Sequence, residues 1–279
     1  MHQIKNCDIQ AFSQYLKELE RSPATIEKYR SSLERLYAWL PVHKCIDKET
    51  IIRYKEQLTM KFAPAGVNTT LAALNGFFRF VGWPECVVKP LHIQRQAFIC
   101  PEKELDKEEY KRLVNAARRK KDTRLELLLQ LMASTGMRVS EIQYVTVDAI
   151  AKKMVSIRLK GKVRTVLLPD GLCSQLQSYQ KRNRIASGPI FLTRSGKVMD
   201  RKEIWAQMKR LCRSAGVSDT KVFPHNLRHL FARSFYAKQK DISKLADVLG
   251  HSSIDTTRIY LVTSGQEHRQ IINNLQLLC

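Results

Sequence analysis

Four side chains suited to phosphodiester chemistry lie within 36 residues near the end of the sequence: His225, Arg228, His251 and Tyr260. An arginine guanidinium offers a planar set of donors that matches two phosphate oxygens. A histidine can transfer a proton near neutral pH, and a tyrosine hydroxyl can act as a covalent nucleophile. These residue types at this spacing predict a site that acts on a phosphate ester.

Helix signals in the same stretch predict that these side chains converge. His225 and Arg228 are three residues apart, so one face of a helix presents both. Gly250 is typical of a helix end and leaves His251 at a turn. The run 253–260 then predicts a short helix that returns Tyr260 toward the same point.

The composition narrows the class of partner. A chain of 279 residues allows one large domain or two of ordinary size. Its net charge is +22, and residues 101–279 carry 34 basic against 17 acidic side chains, compared with 14 and 9 in residues 1–100. This excess, with an ordinary hydrophobic content of 44%, favours a folded protein that binds nucleic acid over one with a merely basic surface.

The cysteines and the N-terminus indicate the compartment. The seven cysteines are scattered and form no Cys-x-x-Cys pair, which favours reduced thiols over a zinc site or a disulfide framework. The sequence shows neither a signal peptide nor an apolar run long enough to span a bilayer. We therefore expect a cytoplasmic protein, associated with the bacterial nucleoid when it is bound to DNA, with no membrane partner.

Residues 1–86 are predicted to form a helical DNA-binding domain. Apolar spacing and cap signals such as Asp47 predict four helices, the last from about Val67 to Val81. The pair Phe77-Phe78 is assigned to the hydrophobic core rather than to base stacking. Four helices with short loops are typical of a small bundle.

Residues 87–104 contain two prolines and no helical period, which is typical of an inter-domain linker. A linker between two basic domains would let the pair close around a DNA duplex.

Residues 105–279 are predicted to form a second domain that carries the chemistry. A capping box of Asp106 and Glu109 starts its first helix, and Asp122 starts a second that ends at Gly136. Further helices are expected at about 170–183, 200–214 and 226–238, and short strands at Met154–Leu159, Arg164–Leu168 and Ile190–Leu192. The predicted fold class is therefore mainly α with a small antiparallel β-sheet, a four-helix domain preceding a mixed α+β domain.

Five sequence boxes occur in the order found in tyrosine recombinases, the phage integrase family. They are Ser134-Thr-Gly-Met-Arg138-Val-Ser-Glu141, the Lys160-Gly161 hairpin, His225-Asn-Leu-Arg228-His229, Leu249-Gly-His251, and Tyr260. The chain resembles this family over essentially its whole length, because a helical core-binding domain also precedes the catalytic domain there. One box alone is a weak signal, whereas five in order are very specific.

The resemblance implies cleavage and rejoining of DNA through a 3′-phosphotyrosyl intermediate, with strand exchange between two sites. Tyr260 is implied to be the nucleophile, and His225 to accept its proton or bond the phosphate. Arg138, Arg228 and His251 are implied to donate to the non-bridging oxygens and stabilise the pentacoordinate state. The resemblance implies no cofactor and no metal, since two arginines supply the positive charge.

The remaining assignments concern supporting residues. Lys160 is implied to be the general acid that protonates the leaving 5′-oxygen, because it directly precedes the hairpin glycine, while Lys162 stays as the alternative. Glu141 is implied to orient its neighbours, and His229 is interpreted as a residue that either packs in the core or supports the catalytic side chains.

The resemblance also implies partners: double-stranded DNA with paired inverted-repeat half-sites, and a homotetramer on two such sites. Two other functions stay open, a type IB topoisomerase-like enzyme that relaxes DNA and a DNA-binding protein with an inactive site. Because the chain starts at the core-binding helices, we expect a simple, Xer-like two-domain recombinase. The sequence does not choose between integration, resolution and inversion, nor does it give the target sequence or the accessory proteins.

A C-terminal helix is predicted at 265–276, since Ile271, Ile272, Leu275 and Leu278 lie at helical spacing. The helix would either fold back on its own domain or dock on a neighbouring subunit.

Overall fold

The computed structural model describes residues 2–93, 101–159, 162–251, 253–260 and 273–275. The chain divides into two compact units, Met1–Arg95 and Gln96–Cys279, and each has its own hydrophobic core. Across the described ranges, no helix is both long enough and apolar enough to cross a membrane.

The first unit is a bundle of four helices, as predicted. They are α1 (Asn6–Glu18), α2 (Pro23–Trp39), α3 (Lys48–Lys61) and α4 (Pro64–Phe80). The side chain of Asp47 accepts a hydrogen bond from the Thr50 amide and caps α3. Phe77 and Phe78 are fully buried, so their assignment to the core is confirmed.

The first unit also contains elements that were not predicted. A two-residue strand β1 (His2–Gln3) pairs antiparallel with β2 (Cys45–Ile46). After a short 3-10 helix at Pro84–Cys86, the segment predicted as a linker begins by packing on this unit. The Asn75 side chain donates to the Val88 carbonyl at 2.8 Å and accepts from the Val88 amide at 3.1 Å, and Val88 is buried.

The second unit is mainly helical. Its helices are α5 (Lys107–Arg119), α6 (Thr123–Thr135), α7 (Val147–Ala151), α8 (Asp170–Arg182), α9 (Arg201–Ala215), α10 (Pro224–Gln239), α11 (Ile242–Leu249) and α12 (Asp255–Arg258). The predicted capping box of Asp106 and Glu109 starts α5. Helix α6 is apolar on most of its surface and packs against α5, α8 and α10, which makes it the centre of the core.

The predicted β-hairpin is present in the second unit. Strand β3 (Met154–Leu159) pairs antiparallel with β4 (Lys162–Leu167), and β4 begins two residues earlier than the predicted Arg164. Arg164, Val166 and Leu168 alternate along one inward face. The third strand predicted at Ile190–Leu192 is wrong, because this segment makes only an isolated bridge between Leu192 and Val198, although Ile190 and Phe191 are buried.

The mainly helical fold class with small antiparallel sheets is therefore confirmed. The cysteines within the described ranges are unpaired: Cys7, Cys45, Cys86, Cys173 and Cys212.

Candidate active site

The turn after α6 is the first part of the site along the chain. Gly136 ends α6 in the left-handed conformation, with φ of 64°. A Cβ at this position would lie 2.5 Å from Cδ1 of Phe231 on α10, so both backbone and packing require glycine. The close approach brings the Gly136 carbonyl to 2.5 Å from Nη1 of Arg228.

Arg138 and Glu141 lie at the start of the 3-10 helix Val139–Tyr144. The buried Glu141 carboxylate accepts from the Arg138 amide at 2.8 Å and from Arg138 Nη1 at 3.0 Å. The Arg138 side chain remains 42% exposed. The pair thus holds a guanidinium in place while most of its donors stay available to an anion.

Arg228 lies at the centre of the site. It lies on α10, three residues after His225, and its side chain is only 1% exposed. Besides Gly136, it donates through Nη2 to the Leu249 carbonyl at 2.8 Å and to Nε2 of His251 at 2.8 Å. Burial, followed by the charge of Arg138, lowers the pKa of Arg228 to about 10. The guanidinium is therefore still cationic at neutral pH.

Tyr260 reaches this arginine as the sequence predicted. The residue follows α12, is 3% exposed, and packs with Leu245 and Leu249 of α11. Nε of Arg228 donates to its hydroxyl at 3.3 Å. The phenol oxygen is thus held directly against the buried cation.

Three histidine rings surround the tyrosine. His251 stacks on Tyr260 at a centroid distance of 5.7 Å, His229 meets it edge-on at 4.6 Å, and His225 lies 5.9 Å away. His251 follows the left-handed Gly250 that ends α11, as predicted. The structure therefore brings together the predicted residues Arg138, Glu141, His225, Arg228, His251 and Tyr260.

The two predicted histidines are neutral at pH 7 in the DNA-free protein. Burial, followed by the charges of Arg228 and Arg138, lowers the pKa of His251 to about 4. For His225 the causes are burial, then His229 and Arg228, and its pKa is also lowered to about 4. A neutral imidazole can accept a proton, and an incoming phosphate anion would raise both pKa values.

Two residues of this region were not identified from the sequence. Glu104 was assigned to the linker, yet its carboxylate lies 3.3 Å from Nδ1 of His229 and 3.3 Å from Nη2 of Arg233 on α10. Burial raises the pKa of Glu104, but the neighbouring His229 and Arg233 outweigh this effect and hold the pKa below its usual value. The second residue is Arg164, which bonds Glu141 from β4. Its place on the inward face of a strand, where an arginine needs a carboxylate partner, was the available signal.

Two predicted features fall outside the described residues: Lys160 at the hairpin tip and most of the C-terminal helix at 265–276. A metal-ligand combination occurs elsewhere, in the first unit, where donor atoms of His2, Glu85 and Cys86 lie within 4.8 Å of one another. His2 bonds Glu85 and stacks on Trp83 at 4.6 Å, which accounts for its position without an ion.

Two family models match the chain: the phage integrase family over residues 103–267, and the phage integrase N-terminal SAM-like domain over residues 9–84. The chain belongs to the phage integrase family. Tyrosine recombinase XerA of Pyrococcus furiosus is 28% identical over 278 residues, which cover 97% of this chain and 94% of the relative. Tyrosine recombinase XerD of Staphylococcus aureus is 32% identical over 155 residues, 52% of each chain.

Solved structures share the fold. XerH site-specific recombinase, in a pre-cleavage complex with its difH substrate, matches with a TM-score of 0.68 and 20% identity over 96% of this chain and 84% of that one. A lambda integrase dimer bound to a COC′ core site matches with a TM-score of 0.73 and 17% identity over 92% and 94%.

Proposed function

We propose that the chain is a site-specific DNA recombinase that cleaves one strand by attack of Tyr260 on a phosphodiester. The observation that carries the proposal is the hydroxyl of Tyr260, held 3.3 Å from Nε of the buried Arg228 within a family of tyrosine recombinases. Attack forms a 3′-phosphotyrosyl bond and releases a 5′-hydroxyl. That hydroxyl then attacks the phosphotyrosyl bond of a partner strand, which rejoins the DNA and frees the tyrosine.

Proton transfers accompany both steps. A tyrosine hydroxyl has an ordinary pKa of about 10, so it needs a base near pH 7. His225, whose neutral ring lies 5.9 Å from the Tyr260 ring, supplies that base or a bond to the phosphate. Lys160 protonates the leaving 5′-oxygen in this proposal, with Lys162 as the alternative.

The arginines stabilise the charge that develops on the phosphate. The exposed side of Arg138 and the buried Arg228 supply donors to the non-bridging oxygens. Glu141 already holds Arg138 in place, whereas Arg228 must first give up its bond to His251. Preorganised donors of this kind contribute most when water is excluded. His251 joins them once Arg228 turns from its ring toward the phosphate.

Strand exchange requires two duplexes and therefore several copies of the chain. We propose that it acts as a homotetramer on two DNA sites, each with inverted-repeat half-sites. We place this reaction in the cytoplasm, where accessory proteins can take part. A solved structure of a lambda integrase tetramer bound to a Holliday junction shares the fold with a TM-score of 0.72, which supports this assembly. The net charge of +22 suits contact with phosphates outside the site.

A topological assay tests the proposal against the topoisomerase alternative. The recombination site is first identified as paired inverted repeats around a short spacer in the DNA that flanks the gene. The substrate is a supercoiled plasmid with two copies of this site, and the control plasmid carries one copy. A recombinase gives deletion or inversion products from the two-copy plasmid only. Complete relaxation of both plasmids without recombinant products would instead establish a topoisomerase-like activity.

A further inference from the structure

Arg164 on β4 links two parts of the site that are far apart in sequence. Its side chain is 11% exposed, and Nη1 donates to both Glu141 oxygens, at 3.0 and 2.9 Å. Nη2 donates to the Val248 carbonyl at 3.0 Å. One guanidinium thus joins the Arg138 turn to the C-terminal end of α11.

The bonds from Arg164 to Glu141 fix Arg138. An exposed arginine side chain loses rotamer freedom when it is held in one geometry, so it needs a firmly placed partner. That partner is Glu141, which contacts Arg138 through one oxygen and its amide through the other. Because Arg164 contacts both oxygens as well, it fixes the plane of the carboxylate that orients Arg138.

The bond from Arg164 to the Val248 carbonyl fixes His251. Val248 lies in the last turn of α11, where carbonyls have no partner within the helix. The bond from Arg164 therefore anchors this helix end, just before Gly250 and His251. A Cβ at Gly250 would lie 2.4 Å from Cδ of Arg164, so the side chain packs directly on this turn.

We propose that Arg164 is a positioning residue for DNA cleavage. It holds Arg138 through Glu141 and His251 through the end of α11, without touching the reacting atoms itself. This role rests on the proposed function, since it concerns the same cleavage step. A purely structural role, in which Arg164 only neutralises the buried Glu141, predicts different cleavage rates for the variants described next.

The experiment measures single-turnover cleavage of a nicked suicide substrate by Arg164→Gln and Arg164→Lys, with thermal unfolding of each protein. In metal sites, mutation of a residue that orients a ligand typically lowers affinity or activity by about 10–100-fold. Arg164 orients reactive side chains in a comparable way, so we expect Arg164→Gln to slow cleavage by about this factor. Arg164→Lys keeps the charge but loses the fork that reaches Glu141 and Val248 together, so an intermediate rate is expected. Arg118→Gln is the matched control, because Arg118 pairs with Glu126 between α5 and α6 at 2.7 Å; it should cleave at the wild-type rate.

A double variant separates positioning from general stability. If Arg164 acts through Arg138, adding Arg164→Gln to Arg138→Ala should slow cleavage much less than it slows the wild type. An equal slowing in both backgrounds would overturn action through Arg138. Should Arg164→Gln not fold, the same comparison is made with Arg164→Lys.

The outcomes distinguish this inference from the proposed function. A wild-type protein that forms no covalent adduct overturns the proposed function. A wild-type adduct, together with wild-type rates in both Arg164 variants, overturns the positioning role alone.

Discussion

Nη2 of Arg228 donates to Nε2 of His251 across 2.8 Å. A guanidinium has no acceptor, so Nε2 must accept and the ring proton resides on Nδ1, 2.8 Å from the Thr257 hydroxyl. The DNA-free site therefore holds His251 as a neutral acceptor. To donate to a phosphate, its Nε2 must be released by Arg228 and carry a proton, either by protonation of the ring or by a change of tautomer in which the Thr257 hydroxyl donates to Nδ1.

The two arginines should respond differently to removal because their burial differs. Arg138→Ala and Arg228→Ala should each slow cleavage about 10²–10³-fold through lost donors to the phosphate. Arg138→Ala removes a half-exposed guanidinium, and the buried Glu141 keeps its bond to Arg164, so the loss in the free energy of unfolding should be small, about 1 kcal/mol. Arg228→Ala leaves the Gly136 and Leu249 carbonyls without their donor, at about 1–3 kcal/mol each.

Single-turnover cleavage and denaturant unfolding of both variants provide the check. Equal losses of stability in the two variants would contradict the buried, fully bonded position of Arg228. Arg228→Lys supplies a charged variant if the alanine protein does not fold.

The pH dependence of stability follows from the depressed pKa of His251. Its folded value of about 4 lies below the ordinary 6.5, so between these pH values only the unfolded chain binds the proton. The free energy of unfolding should therefore fall as pH decreases from 6.5 toward 4, and this contribution is fully present above pH 6.5.

Denaturant unfolding of the DNA-free protein across pH 4–7 measures this effect. His251→Gln, which keeps an acceptor for Arg228, should reduce the slope without abolishing it, because the pKa of His225 is also lowered to about 4. The exposed His43→Gln serves as the control. An unchanged slope in His251→Gln would show that this ring is not the titrating group.

Local signals explain why so much of the fold was predictable. A cap such as Asp47, or a left-handed glycine such as Gly250, acts within about one helical turn, so sequence alone reveals it. Arg164 could not be assigned in this way, because its partners lie 23 and 84 residues away. Glu104 was missed for the same reason, since its partners are on α10.

The general acid is predicted to be Lys160. Lys160→Ala should cleave an ordinary substrate slowly and regain activity on a substrate with sulfur at the 5′-bridging position, because a thiolate leaves without protonation. Lys162→Ala should show no such rescue. Rescue of Lys162→Ala, with Lys160→Ala inactive on both substrates, would reverse the assignment.

The predicted C-terminal helix at 265–276 is expected to connect subunits. A chain ending near Gly265 should bind a single half-site as the full chain does, but lose cooperative binding to the full site and lose recombination. Heterologous contacts of this kind close into rings. Gel-shift titrations on half and full sites measure the difference, and unchanged cooperativity would place the helix on its own domain.

The central claim is that Tyr260 forms the covalent bond to DNA, and a nicked suicide substrate tests it most directly. Phenylalanine keeps the buried ring but removes the hydroxyl that faces Arg228. Tyr236→Phe, in the same apolar cluster, is the matched control. On a denaturing gel, the wild type and Tyr236→Phe should trap a covalent protein–DNA adduct, whereas Tyr260→Phe should bind the DNA and trap none. An undiminished adduct from Tyr260→Phe would contradict the account and place the nucleophile on another residue.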